Sequence, residues 1–168
     1  SYLMEIYLIR HGIAVEGSED LPDESRPLTE KGQQKTIQVA QKLKEIGVRF
    51  DIILTSPLVR ARQTTDILLK TGLSSTTQEF ADLAPEGNIQ NWLSWLVASD
   101  YYQEQGSLAL VGHQPDLGNW AEILVWGQTQ EKLILKKAGV IGLELPIHEH
   151  PIGQGLLFLL TSPKFINQ

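Results

Sequence analysis

The chain has 168 residues, a formal net charge of −6, 42% apolar residues and no cysteine. A chain near 150 residues buries about 70% of its unfolded surface, so this length fits a single domain over residues 1–168 with a core that needs no staples. The apolar share excludes a disordered chain, and the missing cysteines exclude a disulfide framework, a thiolate metal site and a thiol nucleophile. The first predicted element is the mostly apolar run Met4 to Ile9, read as a buried strand that stops at Arg10-His11-Gly12. Residues 17–27 are polar with two prolines and read as a loop. Thr29 is a good N-cap for a helix to about Ile46, with Thr36, Val39, Ala40, Leu43 and Ile46 on one face and Gly47 as its stop. Asp51 to Thr55 is a second strand. Ser56-Pro57 pairs an N-cap with a proline at the first helical position, opening a helix to about Lys70 that closes at Gly72. Thr76 to Phe80 reads as a short strand, Asp82 to Asn88 as a loop and Ile89 to Ser99 as a helix. Leu108 to Gly112 is a third clear strand, ending at Gly112-His113, and Asp116 to Gly127 is a helix. Val140 to Leu145 and Gly155 to Leu160 are the last two strands.

Strands that alternate with helices predict an α/β fold with a mainly parallel sheet, and the last two strands, with no helix between them, make part of it antiparallel. Leu156 to Leu160 is too short to span a bilayer, and the first residues show no basic-then-apolar signal. The acidic balance argues against nucleic acid. We therefore expect a cytoplasmic monomer with no membrane or nucleic-acid partner, whose anion chemistry comes from a few local cations.

In an open α/β sheet, ligands sit beyond the carboxyl ends of the strands. Three strand ends carry Arg10-His11-Gly12, Ser56-Pro57-Leu58-Val59-Arg60 and Gly112-His113, so two histidines and at least two arginines converge on one rim. The planar donor fork of arginine matches phosphoryl oxygens. Residues two apart on a helix point about 200° apart, so only one of Arg60 and Arg62 faces the site. Arg60, nearer the helix start, is expected there, and Arg62 on the surface. Trp92, Trp95, Trp120 and Trp126 read as core, with Trp92 or Trp95 at the rim of the site as the alternative. His148-Glu149-His150, between Pro146 and Pro151, reads as an exposed turn rather than a metal site. No metal or other cofactor is expected.

Taken together, Leu8-Ile9-Arg10-His11-Gly12, Leu28-Thr29-Glu30-Lys31-Gly32, Ser56-Pro57-Leu58-Val59-Arg60-Ala61-Arg62-Gln63-Thr64 and Val111-Gly112-His113 resemble the histidine phosphatase superfamily. The short length, Arg26-Pro27-Leu28-Thr29 and Asp82-Leu83-Ala84-Pro85 are similar to its SixA-type phosphohistidine phosphatases. The resemblance implies a phosphoglycerate-mutase-like fold, a three-layer α/β/α sandwich with a mainly parallel, partly mixed sheet. It implies that His11 accepts the phosphoryl group, that Arg10 and Arg60 hold its oxygens and that His113 is the second catalytic histidine. Arg26 is a further phosphate contact or a solvated loop arginine.

A histidine attacks through its neutral ring nitrogen, and neighbouring arginines disfavour a second positive charge on it. Water then releases the phosphoryl group from phospho-His11. An alkoxide leaving group needs a proton, and the candidate acids are Glu79, Asp82 and Glu86, with Asp82 placed where SixA-type chains carry an acid. Asp82 reads equally as a loop cap. A phosphohistidine substrate loses imidazole and has less need of an acid. The short stretch 82–99 leaves little chain for a lid, which suits a phosphorylated protein. Three readings follow. The first is a phosphohistidine phosphatase acting on a histidine-phosphorylated phosphotransfer protein. The second is a phosphomonoesterase for a small metabolite or phospho-Ser/Thr. The third, a non-catalytic phosphate-binding protein, is disfavoured because His11, Arg10, Arg60 and His113 are all present.

Overall fold

A computed structural model describes residues 3–168. The elements in chain order are β1 (Leu3–Arg10), α1 (Glu30–Glu45), β2 (Ile52–Thr55), α2 (Val59–Thr71), β3 (Thr77–Glu79), α3 (Ile89–Ala98), α4 (Asp100–Gln103), β4 (Ser107–Gly112), α5 (Asp116–Trp126), β5 (Val140–Pro146), β6 (Leu156–Thr161) and α6 (Pro163–Ile166). The strands form one sheet in the order β3-β2-β4-β1-β5-β6. β1, β2, β3 and β4 pair in parallel, while β5 runs antiparallel to both β1 and β6. This is the mixed sheet expected from the missing helix between the last two strands.

The central strands are apolar on both faces because both are covered. Met4, Ile6 and Leu8 point into one layer with Trp92, Leu96, Trp120 and Leu124 from α3 and α5. Tyr7 and Ile9 point into the other with Val39, Leu43, Ala61 and Leu68 from α1 and α2. Helices on both faces of a sheet make the α/β/α sandwich. Trp92 is fully buried and stacks on Trp120 with centroids 6.0 Å apart. Trp95 stacks on Tyr101 instead.

Thr29 caps α1 as its hydroxyl pattern predicts, accepting from Gly32 N at 2.9 Å. The main chain of Ile13 passes so close to Gly32 that a Cβ there would collide with it, which draws the start of α1 against the segment after His11. Three sequence expectations are corrected. Trp126, read as core, is 50% exposed, because it is the last residue of α5 before Gly127 turns left-handed. Ile46 is 64% exposed, because α1 closes at Glu45 and Ile46 leaves the helical path before Gly47 turns left-handed. Ser56-Pro57 does not open α2, which starts at Val59 after Leu58, since the Ser56 hydroxyl is drawn to a distant partner described below. The single helical turns α4 and α6 carry too few residues for a periodic signal and were not expected.

Trp92→Ala removes the largest fully buried side chain of the α3 layer and should cost about 3–5 kcal/mol of stability in urea denaturation. A loss below about 1 kcal/mol would show that the α3 layer contributes little to the core.

Candidate active site

The parallel register sets the site. Arg10 lies beside Gly112 and Thr55 beside Val111, so the ends of β1, β4 and β2 form one rim. His11 N donates to Gly112 O at 3.1 Å and Ser56 N to Val111 O at 2.9 Å, continuing the ladder one residue past each strand. The rings of His11 and His113 then sit 5.1 Å apart. A cleft of about 270 Å³ opens here, lined by Arg10, Arg26, Arg60, Lys137, His11 and His113, with Ala14, Pro85 and Gln114 at its edges. A larger hollow between α1 and α2, about 500 Å³, holds neither a histidine nor an arginine.

Each ring has a defined setting. His11 Nδ1 lies 2.7 Å from the Gly12 carbonyl. A carbonyl only accepts, so Nδ1 carries the proton and the lone pair is on Nε2. Arg60 Nε donates to that Nε2 at 3.3 Å. His113 Nε2 lies 2.7 Å from Ser56 Oγ, which also accepts from Leu58 N at 3.2 Å. Both rings are held neutral. Burial first, then His113, Arg60 and Arg10, push the His11 pKa from 6.5 down to about 3, although its bond to Gly12 O opposes this. Burial and the arginines lower His113 to about 4, against the pull of Asp23. The arginines lower the His11 pKa as expected, and burial adds a larger contribution.

The cations are anchored from behind. Arg10 Nη1 donates to Leu135 O at 3.0 Å, and its buried Nε has no partner. His113 Nδ1 is likewise buried and unpartnered. Such orphans are costly, and an oxyanion supplies the acceptors an arginine N–H lacks. Arg60, 4% exposed, donates from Nη1 to Asp23 O at 2.7 Å and from Nη2 to Asp23 Oδ2 at 3.2 Å. Arg26 donates to Asp23 Oδ1 and to Val15 O, each at 3.0 Å. The stretch that supplies Leu135 O and Lys137 is tied down by Glu122, fully buried, whose carboxylate accepts from the N–H groups of Gln130, Lys132 and Leu133. Burial alone would raise the Glu122 pKa, but these donors hold it below the usual carboxylate range.

The structure brings His11, Arg10, Arg60, His113 and Arg26 together. It does not bring in Asp82. That carboxylate accepts from Asn88 N at 2.9 Å and Asn91 Nδ2 at 3.1 Å, capping the turn before α3, and it is absent from the cleft lining. Glu79 pairs with Arg62 at 3.9 Å on the surface, and Glu86 does not line the cleft either. Of residues 82–99 only Pro85 does so; Trp92, Leu93 and Leu96 are spent on the core. Sequence reasoning missed Ser56 as a partner of His113, Asp23 as the anchor of two arginines, and Lys137. Among the described residues no cluster of three or more His, Cys, Asp or Glu could hold a metal, and no helix is long and apolar enough to cross a membrane.

A neutral imidazole lone pair set among guanidinium groups beyond the ends of parallel strands is an arrangement suited to phosphoryl transfer on an α/β scaffold. The model of the histidine phosphatase superfamily, branch 1, matches residues 6–84. An uncharacterized protein of Picosynechococcus sp. is 48% identical over 166 residues, covering 97% of this chain and 99% of that one. The solved structure of the protein histidine phosphatase SixA complexed with tungstate superposes with a TM-score of 0.83 at 26% identity, over 96% of this chain and 98% of that one. The mitochondrial serine/threonine-protein phosphatase Pgam5 of Drosophila mojavensis is 31% identical over 99 residues, 54% of this chain but only 34% of its own length. The chain belongs to the histidine phosphatase superfamily.

At about pH 6, ring ¹⁵N shifts should report both histidines neutral, with His11 protonated at Nδ1. An imidazolium signal from His11 at that pH would contradict the buried neutral ring. The unfolded chain binds these protons near 6.5 and the folded chain only near 3 and 4, so stability should fall as pH drops below 6.5.

Proposed function

We propose that the chain is a phosphohistidine phosphatase that removes the phosphoryl group from a histidine-phosphorylated phosphotransfer protein through a phospho-His11 intermediate. The observation that carries the reading is the pairing of a fixed Nε2 lone pair with a cleft that has four cations and no lining carboxylate. The likeness to a protein histidine phosphatase over nearly the whole of both chains supports it.

In this mechanism Arg10, Arg60 and Arg26 bind the phosphoryl oxygens and hold phosphorus in line with His11 Nε2. Nε2 displaces the Arg60 Nε hydrogen bond and forms the N–P bond. The substrate N–P bond breaks, and a ring already protonated on its other nitrogen departs as neutral imidazole. His11 keeps its Nδ1 proton, so the Gly12 carbonyl steadies the positive ring as it forms. The two sides of the transfer are chemically alike, and no leaving-group acid is required. Water then attacks phosphorus, His11 departs neutral, and the product is dihydrogen phosphate. His113, oriented by Ser56, stabilises the transferring oxygens. No step calls on a metal or other cofactor.

A second reading, hydrolysis of a phosphoester such as phosphoserine or phosphothreonine or of a small metabolite, is favoured by the partial likeness to Pgam5. It requires an acid for the alkoxide, and Asp82 would have to leave both its asparagine partners to serve.

Turnover separates the two. A phosphorylated phosphotransfer domain should be dephosphorylated with chelator present, a set of phosphoesters far more slowly, and His11→Ala should lose at least about a thousandfold in kcat. Fast ester turnover with none of the phosphotransfer domain would sink the first reading. Undiminished activity of His11→Ala would sink the mechanism.

A further inference from the structure

One carboxylate behind the cleft is tied to two of its cations at once. Asp23 lies in a single 3-10 turn, Asp23–Ser25, with its side chain 62% exposed. Its Oδ2 accepts from Arg60 Nη2 at 3.2 Å, its Oδ1 from Arg26 Nε at 3.0 Å, and its main-chain oxygen from Arg60 Nη1 at 2.7 Å. Asp23 is absent from the cleft lining, whereas both arginines belong to it.

A guanidinium has five N–H donors in a rigid plane. Both terminal nitrogens of Arg60 are engaged by Asp23, and Nε points at His11 Nε2 from 3.3 Å. The edge left for an incoming oxyanion is therefore the one carrying Nε, the edge that meets the nucleophile. Without the carboxylate, the terminal nitrogens of Arg60 keep only the Asp23 main-chain oxygen, a single bond about which the plane can turn. Arg26 shares the dependence: its other bond, from Nη1 to Val15 O, does not by itself fix the guanidinium plane.

We propose that Asp23 is a positioning residue that holds Arg60 and Arg26 with the correct edges toward a phosphoryl group on His11, and that it acts through those arginines without touching the substrate. The proposal rests on the cleft being a phosphoryl site. It carries a sign that separates it from simple charge. Removing a nearby negative charge strengthens anion binding by Coulomb's law, whereas releasing a positioned fork weakens it.

The test is titration calorimetry of inorganic phosphate into the full chain and its variants, with melting temperatures as a check on folding. Asp23→Asn keeps the shape and the main-chain acceptor but loses the charge, and should bind phosphate about tenfold more weakly. In an Arg60→Lys background, which keeps a cation without a fork, the same change should cost clearly less, about threefold, because only the hold on Arg26 remains to be lost. Equal or tighter phosphate binding by Asp23→Asn would overturn the proposal while leaving the phosphoryl site intact. So would an equal loss in both backgrounds, which would mark a general structural effect. Failure of the unaltered chain to bind phosphate would overturn the phosphoryl site as well.

Discussion

The hydrogen bond from His11 Nδ1 to the neighbouring Gly12 carbonyl decides what this ring can do. An imidazole with its proton committed at Nδ1 has one lone pair, on Nε2, and that atom is the one facing Arg60. The bond spans a single residue, so it forms as soon as β1 ends and the chain turns. It has value only if the ring stays neutral, and neutrality comes from packing: His11 is 6% exposed and His113 is 4% exposed. The positive groups reinforce this. The charges that would grip an oxyanion also make protonation of the ring unfavourable, so one arrangement serves both ends.

The carboxylates are sorted by position. Asp23 holds Arg60 and Arg26, Glu122 on α5 holds the stretch that presents Leu135 O, and neither lines the cleft. Arg10 is held by a carbonyl, which orients it without cancelling its charge. The result is a positive interior on a molecule whose formal charge is −6. Net charge therefore says little about which ligand such a chain accepts, since the cations that matter are few and locally oriented.

Much of this was legible because it is encoded locally. Apolar runs that stop at glycine mark β1 and β4, and Thr29 marks α1. Helix angles and nearness to the helix start separate Arg60 from Arg62, which the structure places in the cleft and on the surface respectively. What escaped depends on distance. Ser56 before a proline has the form of a helix cap, and only its contact with a ring 57 residues away shows otherwise. Leu135 acts through a main-chain oxygen, which any residue carries. Asp82 stands in the right segment for an acid, but the asparagines at 88 and 91 compete for its oxygens, and a local turn wins over the cleft. Asp23 and Arg26, three apart in a loop, left a short-range signal that could have been read as a pair.

The order of the strands has a consequence in time. β4 lies between β1 and β2, although it is made long after both. The first half of the chain, which holds Arg10, His11 and Arg60 and carries the family match at residues 6–84, therefore has a gap where the middle of the sheet belongs. Until Ser107–Gly112 arrives, β1 and β2 have no common neighbour, and neither His113 nor its serine bond exists. Contacts between segments so far apart in sequence are slow to form, since the closure entropy of a long loop precedes any gain from pairing. A nascent chain of this protein thus carries His11, Arg10 and Arg60 well before the cleft that gathers them, which waits on β4 and on the later stretch that brings Leu135 and Lys137.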